Sequence, residues 1–151
     1  MTVPFYTATR EYENFKNEFD EAVSRVMVNG DFILGNDVAS FEKECSEYLG
    51  CKYAVGVASG SDALIIGADL LGFKDGAEVL TPTFTFFASA SCVARLGGKP
   101  VFVDMDENTL NMSLEDAENR ITKNSKGIIP VHLFQQPILM NDVLTLARKY
   151  N

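Results

Sequence analysis

The sequence predicts an α/β fold with a mostly parallel sheet covered by helices on both faces. From Lys52 onward, short β-branched runs alternate with helical stretches at the spacing of βαβ units. The runs are nearly continuous in apolar residues, as in strands buried on both faces. In addition, 46% of the 151 residues are apolar, enough for a real core at this length.

Two helical segments precede that series and make up an amino-terminal part over residues 1–51. Tyr12, Phe15, Phe19, Val23 and Val26 recur at spacings of three and four, which predicts one amphipathic helix over about 11–28 with a left-handed stop at Asn29-Gly30. A second helix is expected from near Asp37, with Val38, Phe41, Cys45 and Tyr48 inward, ending at Gly50. The α/β part, 52–151, opens with an expected strand at Tyr53–Val57 and a helix through Leu64, Ile65, Ala68 and Leu71. A strand at 78–81 leads to a helix over about 85–96. A strand at 100–104 leads to a helix starting at Ser113, where Ser113 and Asp116 have the form of a capping box. A strand at 126–131 leads to a helix over about 141–149. A further strand would continue so regular a series, so the carboxyl end reads as a cut through a larger domain.

Charge and composition exclude several functions. Thirteen basic against 21 acidic residues leave a formal charge of −8 with no Lys/Arg cluster, which fits neither nucleic acid nor an anionic membrane surface. No apolar run approaches the ~18 residues of a membrane span, and Met1–Arg10 has no apolar leader core, so a cytoplasmic protein is expected. Cys45, Cys51 and Cys92 lack metal or dithiol spacing and read as reduced, buried or half-buried residues.

Four segments fall at expected carboxyl ends of strands, where open α/β sheets face their ligands. Ala58-Ser59-Gly60-Ser61-Asp62 places small residues and hydroxyls at a helix start, either a phosphate cradle or a tight turn with Ser59 or Ser61 as N-cap. Thr81-Pro-Thr-Phe84-Thr-Phe86-Phe87 carries three rings that cannot all point into the core from one junction: either one or more faces a flat ligand, or all three plug the space under the loop. Asp104-Met-Asp106 has the D-x-D form that metal-dependent glycosyltransferases use, and with Asn108 and Glu115 it partly mimics a calcium loop. Thr109 at the glycine position and an entering strand argue against calcium, and helix-capping carboxylates are the plainer reading. His132 is a lone histidine with no assignable catalytic partner.

Five segments of the chain, in order, resemble the DegT/StrS family of nucleotide-sugar aminotransferases. They are Gly30-Asp-Phe-Ile-Leu-Gly35, Phe41-Glu42 with Tyr48–Leu64, Thr81–Ser89, Pro100–Asp104 and Ile129-Pro-Val-His-Leu-Phe134. The resemblance implies the amino-terminal part of a fold-type-I large domain, with pyridoxal 5′-phosphate as cofactor and a homodimer whose active sites lie at the subunit interface. It places the cofactor phosphate on Gly60, Ser61 and Asp62. It places the ring-stacking aromatic at Phe86, with Phe84 competing, and no metal. Gln135 departs from the family's H-L-F/Y-G-Q-P, which has Gly there. The pyridine-pairing Asp and the Schiff-base Lys of the family have no match among these residues and are expected beyond Asn151. The implied reaction is amination of a keto-sugar nucleotide, with glutamate as donor, for surface polysaccharide or glycoconjugate biosynthesis, and the 151 residues alone are expected to be inactive. A metal-dependent glycosyltransferase core at Asp104 and Asp106, and a non-catalytic anion-binding module, are the alternatives.

Overall fold

The computed structural model describes residues 3–150, which fall into two compact units, Met1–Gly56 and Val57–Asn151. The first holds helices α1 (Thr9–Asn14), α2 (Lys16–Asn29) and α3 (Asn36–Leu49). The single helix expected over 11–28 is divided at Phe15, whose backbone leaves the helical region (φ −118°, ψ 23°). Asp20 ties the two pieces across the break, accepting the Tyr12 hydroxyl at 3.0 Å and pairing with Lys16. Both expected glycine stops form: Gly30 (φ 73°) and Gly50 (φ 65°) are left-handed, which glycine adopts at no steric cost. Arg25 of α2 meets Asp37 of α3 at 2.6 Å.

The strand expected at Tyr53–Val57 does not form. No strand among the described residues pairs with this segment, and a ladder exists only through such pairing. The Gly56 N–H turns instead to Glu42 Oε1 at 2.7 Å. Cys51, expected at least half-buried, is exposed, and Cys45 is intermediate, whereas Cys92 is buried.

The second unit runs α4 (Gly60–Leu70), β1 (Glu78–Pro82), α5 (Ala88–Arg95), β2 (Lys99–Val103), α6 (Leu114–Asn119), β3 (Ser125–Ile128), a 3-10 turn at Leu133–Gln135 and α7 (Met140–Lys149). The three strands are parallel in the order β2-β1-β3, with Leu80 opposite Val101 on one side and Ile128 on the other. β1 is buried throughout. Pro100 is tolerated because Lys99 donates its N–H to Ala77 at 2.8 Å, which by alternation turns the proline nitrogen away from β1. The expected extension of β3 to residue 131 stops early: Ile129 still donates to Leu80 at 2.8 Å, and among the described residues no further backbone bond to β1 follows it.

Both faces of the sheet are covered, as expected. Ala68, Phe73, Val79, Cys92 and Val93 pack α4 and α5 on one face, while Leu80, Val103, Met112, Ala117, Val143 and Leu146 pack α6 and α7 on the other. Phe73 lies over β3, where a Cβ on Gly127 would meet its ring at 2.1 Å. At the amino end, the Glu78 carboxylate joins all three strands' starts, 2.8 Å from Lys99 Nζ and accepting the Thr122 hydroxyl.

Candidate functional site

α4 leads through Gly72 and Phe73 back to the start of β1, so its amino terminus lies at the sheet's carboxyl end with the loops that follow β1, β2 and β3. Ser59 is the N-cap: its extended backbone (φ −158°, ψ 162°) lets Oγ accept the Asp62 N–H at 3.2 Å. The same hydroxyl donates to Asp62 Oδ2 at 2.8 Å. This leaves the N–H groups of Gly60 and Ser61 without an acceptor among the described residues. Two open donors at the positive end of an eleven-residue helix suit an anion such as phosphate, and the partly buried Ser61 hydroxyl lies beside them. Asp62 contributes its side chain and its N–H to the cap.

The loop after β1 carries the rings. All three phenylalanines stay out of the core, where their crowding required this of only one: Phe84 is 50%, Phe86 73% and Phe87 78% exposed. Phe84 has a ring partner in Phe134, with centroids 6.1 Å apart and planes at 57°. Among the described residues Phe86 has no such partner, so its face is open. The loop is tied to α5 where the Thr85 and Ser89 hydroxyl oxygens lie 3.0 Å apart and the Ser89 backbone N–H donates to the Phe86 carbonyl at 3.1 Å.

After β2, the D-x-D carboxylates are engaged in building a turn. Asp106 Oδ1 accepts the N–H groups of Asn108 and Thr109 at 3.0 and 2.8 Å and the Thr109 hydroxyl at 3.0 Å. These donors, led by the Thr109 N–H, hold its carboxyl below the ordinary aspartate range. Asp104 Oδ1 accepts the Met105 N–H at 2.8 Å. The capping box at Ser113 forms only in half: Ser113 Oγ accepts the Asp116 N–H at 3.2 Å, but the Asp116 carboxylate accepts the Asp104 N–H at 2.7 Å and pairs with Arg120 at 2.6 Å.

After β3, His132 is a structural acceptor through Nδ1, which takes the Ile138 N–H at 3.1 Å. Phe134 and Gln135 between them are both left-handed, with φ 50° and 62°. Two residues of this region carried no role in the sequence reading. Phe134 stacks on Phe84, and buried Asn111 holds the loop by donating from Nδ2 to Pro137 at 3.3 Å.

Residues 13–151 match the DegT/DnrJ/EryC1/StrS aminotransferase family. The chain belongs to this family. It is 39% identical over 150 residues to the "Pleiotropic regulatory protein" of Geobacillus stearothermophilus, covering 99% of this chain and 40% of that protein. To the UDP-2-acetamido-2-deoxy-3-oxo-D-glucuronate aminotransferase of Pseudomonas aeruginosa it is 38% identical over 148 residues, covering 98% and 41%. Among solved structures, that of S. venezuelae DesV superimposes with a TM-score of 0.93 at 35% identity, covering 98% of this chain and 40% of that one. The chain thus spans about two fifths of the length of the relatives it matches. Its parallel sheet and flanking helices are those of fold-type-I aminotransferases, and members of the DegT family depend on pyridoxal 5′-phosphate. The open N–H pair at Gly60 and Ser61 and the uncovered ring of Phe86 fit the two ends of that cofactor, an anion and a flat heterocycle.

Proposed function

We propose that this chain forms the cofactor-holding amino-terminal part of an aminotransferase that converts a keto-sugar nucleotide into an amino sugar. The observation that carries the reading is the pair of unpartnered N–H groups at Gly60 and Ser61, placed at the same end of the sheet as Phe86 in a chain of the DegT family. Gly60, Ser61 and Asp62 form the phosphate end of the site: two backbone donors and the Ser61 hydroxyl bind, while the Ser59–Asp62 cap keeps the first turn rigid. Phe86 offers the ring wall and excludes water from that face. Bound there, pyridoxal phosphate supplies the electron sink that an amino-group transfer requires.

The same reading assigns the amine-carrying Lys and the Asp that pairs with the pyridine nitrogen to residues following Asn151 in a longer protein. None of the chain's eight lysines stands in the family's S-F-x-x-x-K context. Glutamate is the proposed donor, a homodimer the proposed assembly and the cytoplasm the proposed location. Among the described residues, no helix is long and apolar enough to cross a membrane. With a formal charge of −8, attraction for an anionic sugar nucleotide must come from the start of α4 and from residues outside this chain. The alternative glycosyltransferase core has less support, because Asp106 is occupied by its own turn.

The test is amino transfer by the longer protein, supplied with pyridoxal phosphate, glutamate and a panel of UDP- and dTDP-keto sugars. Formation of an amino sugar, reduced in Ser61→Ala and Phe86→Ala, is expected. Sugar transfer that requires Mn²⁺ and is lost in Asp106→Ala would instead establish the glycosyltransferase alternative.

A further inference from the structure

Two loops at the carboxyl end of the sheet touch through one pair of rings. Phe84 and Phe134 form a tilted aromatic pair, 6.1 Å apart at 57°, within the centroid range of favourable ring contacts. Phe134 reaches this position through a left-handed backbone (φ 50°, ψ 41°), and Gln135 follows at φ 62°. Consecutive side-chain-bearing residues avoid that region, and such backbone persists only where its surroundings over-determine it. Three bonds do so here: Gln136 N–H to Leu133 at 2.9 Å, Ile138 N–H to His132 Nδ1 and Asn111 Nδ2 to Pro137. A turn that served only to reverse the chain would need no ring. Glycine at both positions would form it without strain, but could not touch Phe84.

We propose that Phe134 is a positioning residue whose strained turn presses its ring on Phe84 and so fixes the loop from which Phe86 faces a flat heterocyclic ligand. The proposal rests on the assignment of Phe86 as the ring wall, and Phe134 itself is given no contact with the ligand. The mechanical link is short. Phe84 and Phe86 are separated only by Thr85, so a shift of the backbone at Phe84 reaches Phe86 through one residue, and the Thr85–Ser89 contact holds the same loop from its α5 side.

The first measurement needs no ligand. Fluorophenylalanine is placed at position 86 alone, and its fluorine NMR line is recorded in the chain, in Phe134→Ala, in Phe134→Tyr and in the control Phe102→Ala. We expect Phe134→Ala to shift and broaden the line, Phe134→Tyr to restore it and the control to leave it in place. An unchanged line in Phe134→Ala overturns the proposal. Should circular dichroism show that variant unfolded, Phe84→Leu carries the same readout.

The second measurement titrates pyridoxal 5′-phosphate and, separately, inorganic phosphate. Phe134→Ala is expected to weaken the first about fivefold and leave the second unchanged. Equal weakening of both would overturn the proposal by placing the effect at the phosphate end. If Phe86→Ala binds the cofactor as the parent does, the ring-wall assignment and the ligand role fall together, while the fluorine line still decides whether Phe134 positions the loop.

Discussion

His132 Nδ1 accepts the backbone N–H of Ile138 at 3.1 Å, pinning the two ends of the loop that follows β3. A ring nitrogen here does the work of a backbone carbonyl, in a stretch where Pro137 interrupts the run of donors. We expect His132→Ala to lose about 1 kcal/mol of stability. Hydrogen exchange at the Ile138 amide should speed up more than at the amides of β1. Unchanged protection of Ile138 would show that the bond does not hold the loop.

Gln135, left-handed directly after a left-handed Phe134, sits where glycine carries no steric penalty. Gln135→Gly should therefore raise stability by about 0.5–1 kcal/mol, the relieved strain outweighing the added freedom of the unfolded chain. Urea unfolding checks this, and a destabilised variant would mean that the Gln135 side chain makes a compensating contact.

Gly127 has the opposite character. Its φ is unexceptional, but a Cβ would lie 2.1 Å from the tip of the buried Phe73 ring. Gly127→Ala should cost roughly 1–3 kcal/mol by overpacking. The double change Gly127→Ala with Phe73→Leu should lose less than the sum of the two single changes. Additive losses in thermal unfolding would contradict this steric account.

Glu78 is held below the ordinary glutamate range, first by the Lys99 ammonium and then by the Thr122 hydroxyl, both of which favour its ionised form. A carboxyl with a lowered folded-state pKa stabilises fully above its unfolded value. That contribution is lost as pH falls through the folded value, because the unfolded chain then binds the proton more readily. Urea midpoints taken from about pH 7 down to about pH 3 should fall less steeply for Glu78→Gln than for the parent. Identical slopes would show that other lowered carboxyls, such as Asp116 beside Arg120, account for the acid limb.

Much of this arrangement was legible before any coordinates, for identifiable reasons. Gly30 and Gly50 announced helix ends because only the left-handed cap needs them, and the apolar runs at 78–81 and 100–104 announced strands buried by neighbours nearby in the chain. Tyr53–Val57 misled because its β-branched residues report propensity, whereas a strand also requires a partner. The motif at Ser59–Asp62 located the anion end, yet whether Ser59 or Ser61 capped the helix depended on one backbone conformation. Phe134 stayed hidden because its contact with Phe84 joins loops 50 residues apart in sequence, and residue spacing does not record that approach.

The central claim is that the open donors of Gly60 and Ser61 receive the cofactor's phosphate. The most direct measurement is a titration of the ¹⁵N-labelled chain with pyridoxal 5′-phosphate, following every backbone amide by NMR. We expect the Gly60 and Ser61 amide protons to move downfield together in a saturable manner, inorganic phosphate to reproduce the movement, and Asp62, already bonded to Ser59, to move less. Saturable binding that leaves Gly60 and Ser61 unmoved while shifting amides elsewhere, for instance at Asn108 and Thr109, would contradict it.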